Sequence, residues 1–280
     1  MKRILYLDAF AGISGDMFVG ALLDLGVDLE SVRRDVSRLN LEGFEIRVAK
    51  VARQGIMGTK FDVLDPATGR NVDDVADHNH GHGHEHHRDH VHHHDDGGHR
   101  HHVREHKHRS LGEIRRIIGE SSLPPEAAGD AIAVFEIIGR AEATVHGKGI
   151  EEIHFHEVGA LDTIVDIVAA TSALRRLNVD EVICSPIHVG SGTVRCAHGV
   201  LPVPAPATLE ILKGIPIYAT DVRGELATPT GAALLKRFCT RFGPLPPLMV
   251  EAIGYGAGTR ELDIPNLLRA TVGIEIQARG

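Results

Sequence analysis

Residues 150–177, IEEIHFHEVGALDTIVDIVAATSALRRL, run from a short alternating segment into a long apolar one. In the first half, polar and apolar residues alternate as in a strand, so His154 and His156 project from one face. Gly159 breaks that pattern. Residues 160–177 then predict a helix whose acidic residues are Asp162 and Asp166, four apart and on one face. Like charges at that spacing cost a helix about 0.2–0.5 kcal/mol, which a bound cation, solvent or an arginine can relieve. With Glu157 beside the imidazoles, the stretch gathers groups suited to metal binding or proton transfer.

Working outward, the same strand-to-helix alternation recurs. Residues 2–7 predict a buried strand ending at Asp8, and residues 17–25 a helix closed by Gly26. The loop between them, AGISG followed by Asp16, matches neither GxGxxG nor GxxxxGK[ST]. Asp16 or Ser14 can cap that helix or meet a ligand. Residues 29–39 predict a second helix, and residues 44–51 and 60–64 a hairpin around Gly55 and Gly58. Residues 111–119 and a longer stretch from Pro124 to about His146, capped by Ser122, read as amphipathic helices. His146 is read there as a partner of the helix dipole. Residues 181–189 predict a strand. A Thr228 cap and Pro229 open a helix to about Phe238, and closing strands at 248–254 and 267–276 flank a GYGAG loop. The expected fold class is α/β, with alternating strands and helices in one or two subdomains. The organisation expected is an N-terminal subregion 1–72, a disordered His-rich insert 73–109 and a main domain 110–280.

The 280 residues carry a formal charge of −8, which argues against general nucleic-acid binding. Fifteen of the twenty histidines fall between His78 and His108. His82, His84, His86, His87, His92, His93 and His94 in that tract offer imidazoles to nickel, zinc or copper. Tryptophan is absent, so the core is expected to be aliphatic. Three widely spaced cysteines suit a reducing compartment. No signal peptide or membrane-length apolar run is visible, and a cytoplasmic protein is expected.

Taken together, LDAFAGISGDM, HFHEVGALDTIVDI, VGSGTVRCAHGVLPVPAPAT, TPTGAALL and GYGAGTRELDIPN resemble the LarC family, the nickel-insertion proteins of nickel-pincer nucleotide cofactor biosynthesis. The resemblance covers nearly the whole chain in the family's order. It implies a lyase-class nickel insertase (a chelatase). Such an enzyme delivers Ni(II) to pyridinium-3,5-bisthiocarboxylic acid mononucleotide, forming two Ni–S bonds and one Ni–C bond. It also implies CTP hydrolysis with a divalent cation, Mg or Mn. Family members usually carry a further C-terminal region linked to CTP. This chain resembles the N-terminal part, so a C-terminal CTP-binding partner is expected, and homo-oligomerisation is left open.

The residue types suit that chemistry. His154, His156 or Glu157 can remove the ring proton. Asp8, Asp16, Asp162 and Asp166 can hold a divalent cation through oxygen, and His154, His156 and His198 suit nickel. Gly190, Gly192, Arg195 and Thr230 can take the substrate phosphate, with Arg260, Asn266 and Arg269 as further candidates. Two alternatives remain at this level: a nickel storage or delivery protein that relies on the histidine tract, and a metal-dependent phosphohydrolase built on the Asp-rich loops.

Overall fold

The computed structural model describes residues 1–72, 109–155, 160–196 and 198–276. Chain order is β1 (Arg3–Asp8), α1 (Gly15–Asp24), α2 (Leu29–Ser37), β2 (Glu45–Arg53) and β3 (Ile56–Leu64). Next come α3 (Leu111–Gly119), α4 (Pro125–His146), a 3-10 turn (Ile150–Glu152), α5 (Leu161–Leu177), β4 (Glu181–Cys184), β5 (Ile187–His188), β6 (Gly190–Ser191), β7 (Thr193–Cys196) and β8 (Gly199–Pro202). The last elements are α6 (Pro206–Ile211), β9 (Ile217–Tyr218), β10 (Gly224–Glu225), α7 (Pro229–Phe238), β11 (Arg241–Phe242), β12 (Leu248–Ala257) and β13 (Leu267–Glu275). The α/β class is as expected. No helix among the described residues is long and apolar enough to cross a membrane.

Seven strands form one mixed sheet in the order β11-β4-β1-β13-β12-β3-β2. β1 runs parallel to β4 and antiparallel to β13, so strands near both ends of the chain meet at the sheet centre. The β2–β3 hairpin turns at Gln54 and Gly55, both at positive φ, a backbone twist that suits a two-residue connection.

α5 is apolar all round because it is enclosed: Ile164, Val165, Ile167, Val168 and Ala169 through Ala173 are buried. The buried Ser172 hydroxyl donates to Asp35 Oδ2 of α2 at 2.6 Å, and Arg176 meets the same oxygen at 2.6 Å. α1 lies directly on β12, where a Cβ on Gly256 would collide with the Met17 carbonyl and one on Gly254 would come within 2.5 Å of the Ala21 carbonyl. The GYGAG segment is therefore strand with a helix-facing notch, where a loop was expected.

Two further expectations are corrected. The segment before α5 begins as a 3-10 turn rather than a strand, because among the described residues it finds no partner strand beyond a single bridge between His154 and Ser110. α4 starts at a Pro124 N-cap without a side-chain cap, so Ser122 does not cap it. By contrast, α3 carries a reciprocal Ser110–Glu113 capping box.

Candidate metal and nucleotide site

A cavity of about 510 Å³ opens where the first turns of α1, α5 and α7 converge beside β3. Ser14 occupies the N-cap position of α1 in an extended conformation without a side-chain cap bond; its hydroxyl donates instead to Asp16 Oδ1, which also accepts the Met17 amide at 2.9 Å. The other oxygen of Asp16 meets the ammonium of Lys60. Lys60 in turn lies 3.1 Å from Asp62 Oδ1 and donates to the Phe61 carbonyl at 3.2 Å. This lysine is only 6% exposed. Burial alone would lower its pKa, but Asp16 and Asp62 outweigh that and hold it above its usual range, so it stays charged.

Asp162, in the first turn of α5, accepts the Thr163 amide at 2.6 Å. One turn further, Asp166 lines the cavity and accepts no hydrogen bond from any described residue. Burial first, then the charges of Asp16 and Asp162, push its carboxyl well above the usual carboxylate range, with Lys60 partly opposing. Gly15 permits this crowding: a Cβ there would stand 2.7 Å from Asp166 Oδ2 and 3.0 Å from Thr230 Cγ2. The third wall is the start of α7, capped by Thr228, whose hydroxyl oxygen accepts the Gly231 amide at 3.2 Å. The Thr228 amide reaches back to the Ile13 carbonyl at 3.0 Å, which ties α7 to the loop before α1.

Three helix N-termini thus share one cavity with the carboxylates of Asp16, Asp62, Asp162 and Asp166. The helix ends favour an anion, and the carboxylates favour a cation. A divalent ion bridging to phosphate oxygens satisfies both. Asp166 is the observation that fits a cation here, since a carboxyl crowded by Asp16, Asp162 and Asp62 ionises readily only with a positive charge beside it. Among the described residues no three His, Cys, Asp or Glu side chains are already drawn into a metal cage. Lys60 supplies the positive charge that Asp16 and Asp62 meet.

Of the residues singled out from sequence, the fold brings Asp16, Asp162, Asp166 and Thr230 to this cavity, together with Arg260 and Asn266. Asp8 is engaged elsewhere, paired with Arg269, its register partner on β13. Gly190 packs against the Gly224 carbonyl, and Gly192 and Arg195 are exposed on the β7–β8 hairpin; none of the three lines the cavity. His198 sits at that hairpin's turn, its ring centroid 4.8 Å from that of His146. His154 is exposed, while Ile153 and Phe155 on either side of it are buried. His156, Glu157 and the histidines at 82, 84, 86, 87, 92, 93 and 94 lie outside the described residues. Sequence reasoning missed Lys60 and Asp62. Their signal was a lysine and an aspartate two apart within an otherwise apolar strand, hence on one face.

The architecture and the cavity define an α/β protein with a carboxylate-lined site at converging helix N-termini. The family model for nickel insertion proteins matches residues 5–279, and the chain belongs to that family. A relative from Desulfitobacterium hafniense is 48% identical over 268 residues, 96% of this chain and 58% of its own length. Relatives from Geobacillus kaustophilus and a Thermotoga species are each 46% identical, over 98% and 97% of this chain. All three are named pyridinium-3,5-bisthiocarboxylic acid mononucleotide nickel insertion proteins. The chain spans about three fifths of the length of these relatives: 58%, 60% and 61%. No solved structure matches it.

Proposed function

We propose that the chain is the substrate-handling part of a nickel insertase that metallates pyridinium-3,5-bisthiocarboxylic acid mononucleotide. The observation that carries this reading is Asp166, set without a hydrogen-bonding partner against Asp16 and Asp162 under three helix N-termini. Family membership supplies the cargo, and the cavity supplies a place where an anionic mononucleotide and a divalent ion are stabilised together.

In this assignment Asp16, Asp162 and Asp166 hold a Mg or Mn ion that neutralises phosphate charge. The α1, α5 and α7 amides, Thr230 and Arg260 orient the phosphate. Lys60 keeps the carboxylates matched while no ion is bound. Nickel is the substrate: two Ni–S bonds form, a ring C–H bond breaks as the Ni–C bond forms, and the proton passes to a base. We assign that base to the segment that leads into α5, with His156 or Glu157 in the role, because it precedes Asp162 by only a few residues in sequence. His154 is exposed and is the weaker candidate of the three. CTP hydrolysis and a C-terminal CTP-binding region or partner polypeptide complete the proposal, in the cytoplasm.

The test is to combine this chain, the C-terminal part of a relative, Ni(II), CTP with Mg or Mn, and the bisthiocarboxylate nucleotide, and to weigh the product by mass spectrometry. Metallated product is expected with the parent chain and is expected to fall at least tenfold with Asp162→Asn. Unchanged product with Asp16→Asn and Asp162→Asn would remove the cavity from the reaction. Absence of product in every combination would remove the insertase assignment.

A further inference from the structure

A second cluster of ligand chemistry stands apart from the acidic cavity. His146 is the last residue of α4, and the helix stops there because Gly147 takes a left-handed conformation, φ 62°. The Nε2 of His146 faces Glu142 Oε2 at 3.3 Å, one helical turn earlier. Across from it the turn of the β7–β8 hairpin presents His198, with the two imidazole centroids 4.8 Å apart and the rings tilted by 51°. Neither histidine lines the acidic cavity.

We propose that His146 and His198 form a two-imidazole clamp for a borderline divalent ion such as nickel, with Glu142 orienting His146. With Glu142 3.3 Å from Nε2, the other ring nitrogen of His146 is the one left to act as a ligand, and a carboxylate beside a metal-bound histidine is a common support. With metal–nitrogen bonds of about 2.0–2.1 Å, two ligating nitrogens lie about 3 Å apart, a bite compatible with rings whose centroids stand 4.8 Å apart. Imidazole nitrogen selects nickel, zinc or copper over magnesium, whereas the carboxylates of the cavity select the harder ions. Two protein ligands leave the remaining positions open to water or to an incoming ligand, as suits a site that passes its ion on. The inference does not depend on the role given to the acidic cavity, and its test reads separately.

Nickel is paramagnetic in octahedral coordination, so it broadens the amide signals near it. The ¹⁵N-labelled full chain is titrated with Ni²⁺ to saturation, and the Gly147 and Gly199 amides are followed, with Val272 of β13 as the remote reference. Because the histidine tract also takes up nickel, the reading rests on position rather than stoichiometry. Gly147 and Gly199 are expected to broaden while Val272 stays sharp, and H146Q or H198Q should restore both signals. Sharp Gly147 and Gly199 amides at saturating Ni²⁺ in the parent would overturn the proposal, whatever the variants do. Broadening that persists in the folded double variant H146Q/H198Q would overturn it too.

Discussion

Asp166 and Lys60 show how single side chains set the character of the cavity. Removing a carboxyl that has no hydrogen-bonding partner among the described residues and three repelling neighbours, Asp16, Asp162 and Asp62, should relieve the metal-free protein. Asp166→Asn is therefore expected to raise its unfolding free energy at neutral pH, where the unfolded chain's carboxyl is ionised and the folded one is disfavoured as an anion. With Mn²⁺ at about 100 times its dissociation constant, the parent should gain about 2.7 kcal/mol and the variant nothing. Urea denaturation with and without Mn²⁺ checks both; a variant that is destabilised without metal, or stabilised by Mn²⁺ as the parent is, would contradict the role given to Asp166. At this scale the sequence was informative about Asp162 and Asp166, whose four-residue spacing in an apolar helix has one geometric outcome. It was uninformative about Asp8 and His198, because their neighbours, Arg269 and His146, come from segments that only the tertiary fold brings close.

Among the elements, β4 is held in the sheet by β1 and β11 and tied further by one carboxylate. Glu181 accepts from Lys2 at 3.0 Å, from Arg241 at 2.6 Å and from Thr240 at 3.0 Å, joining the chain's start to β11. The Lys2 hydrogen bond is the largest influence; with Arg241 and Thr240 it outweighs burial and pulls the Glu181 carboxyl from 4.5 down to about 2. A carboxylate whose pKa falls on folding stabilises the fold above its unfolded value and loses that contribution as pH drops towards the folded one. Glu181→Gln should thus cost on the order of 1 kcal/mol at pH 7, given the exposure of Lys2. The deficit should shrink as pH falls from 4.5 towards 2. Stability curves of the two proteins against pH check this; a gap that widens on acidification would contradict it. Long elements such as α4, α5 and β13 were legible because their periodicity repeats over several turns or pleats. The GYGAG segment was not, since glycines that admit a neighbouring helix carry the same letters as glycines that make a turn. The two-residue strands β5, β6 and β9 are too short for any period to register.

For the molecule as a whole, the sheet takes β1 to β3 from the first 64 residues and β4 and β11 to β13 from residues 181–275. That closure brings Asp16, Lys60, Asp162 and Thr230 to one opening although they are scattered along the chain. Alternation of strands and helices announced the α/β class, but strand order depends on long-range pairing that no local window holds. The central claim is that carboxylates from separate segments hold a divalent ion under converging helix N-termini. Its most direct test is anomalous diffraction from crystals grown with Mn²⁺ and a pyridine mononucleotide. The expected map places a manganese peak between Asp16, Asp162 and Asp166, with the phosphate at the starts of α1 and α7. A map with no peak at those carboxylates, or with the phosphate bound elsewhere, would contradict it.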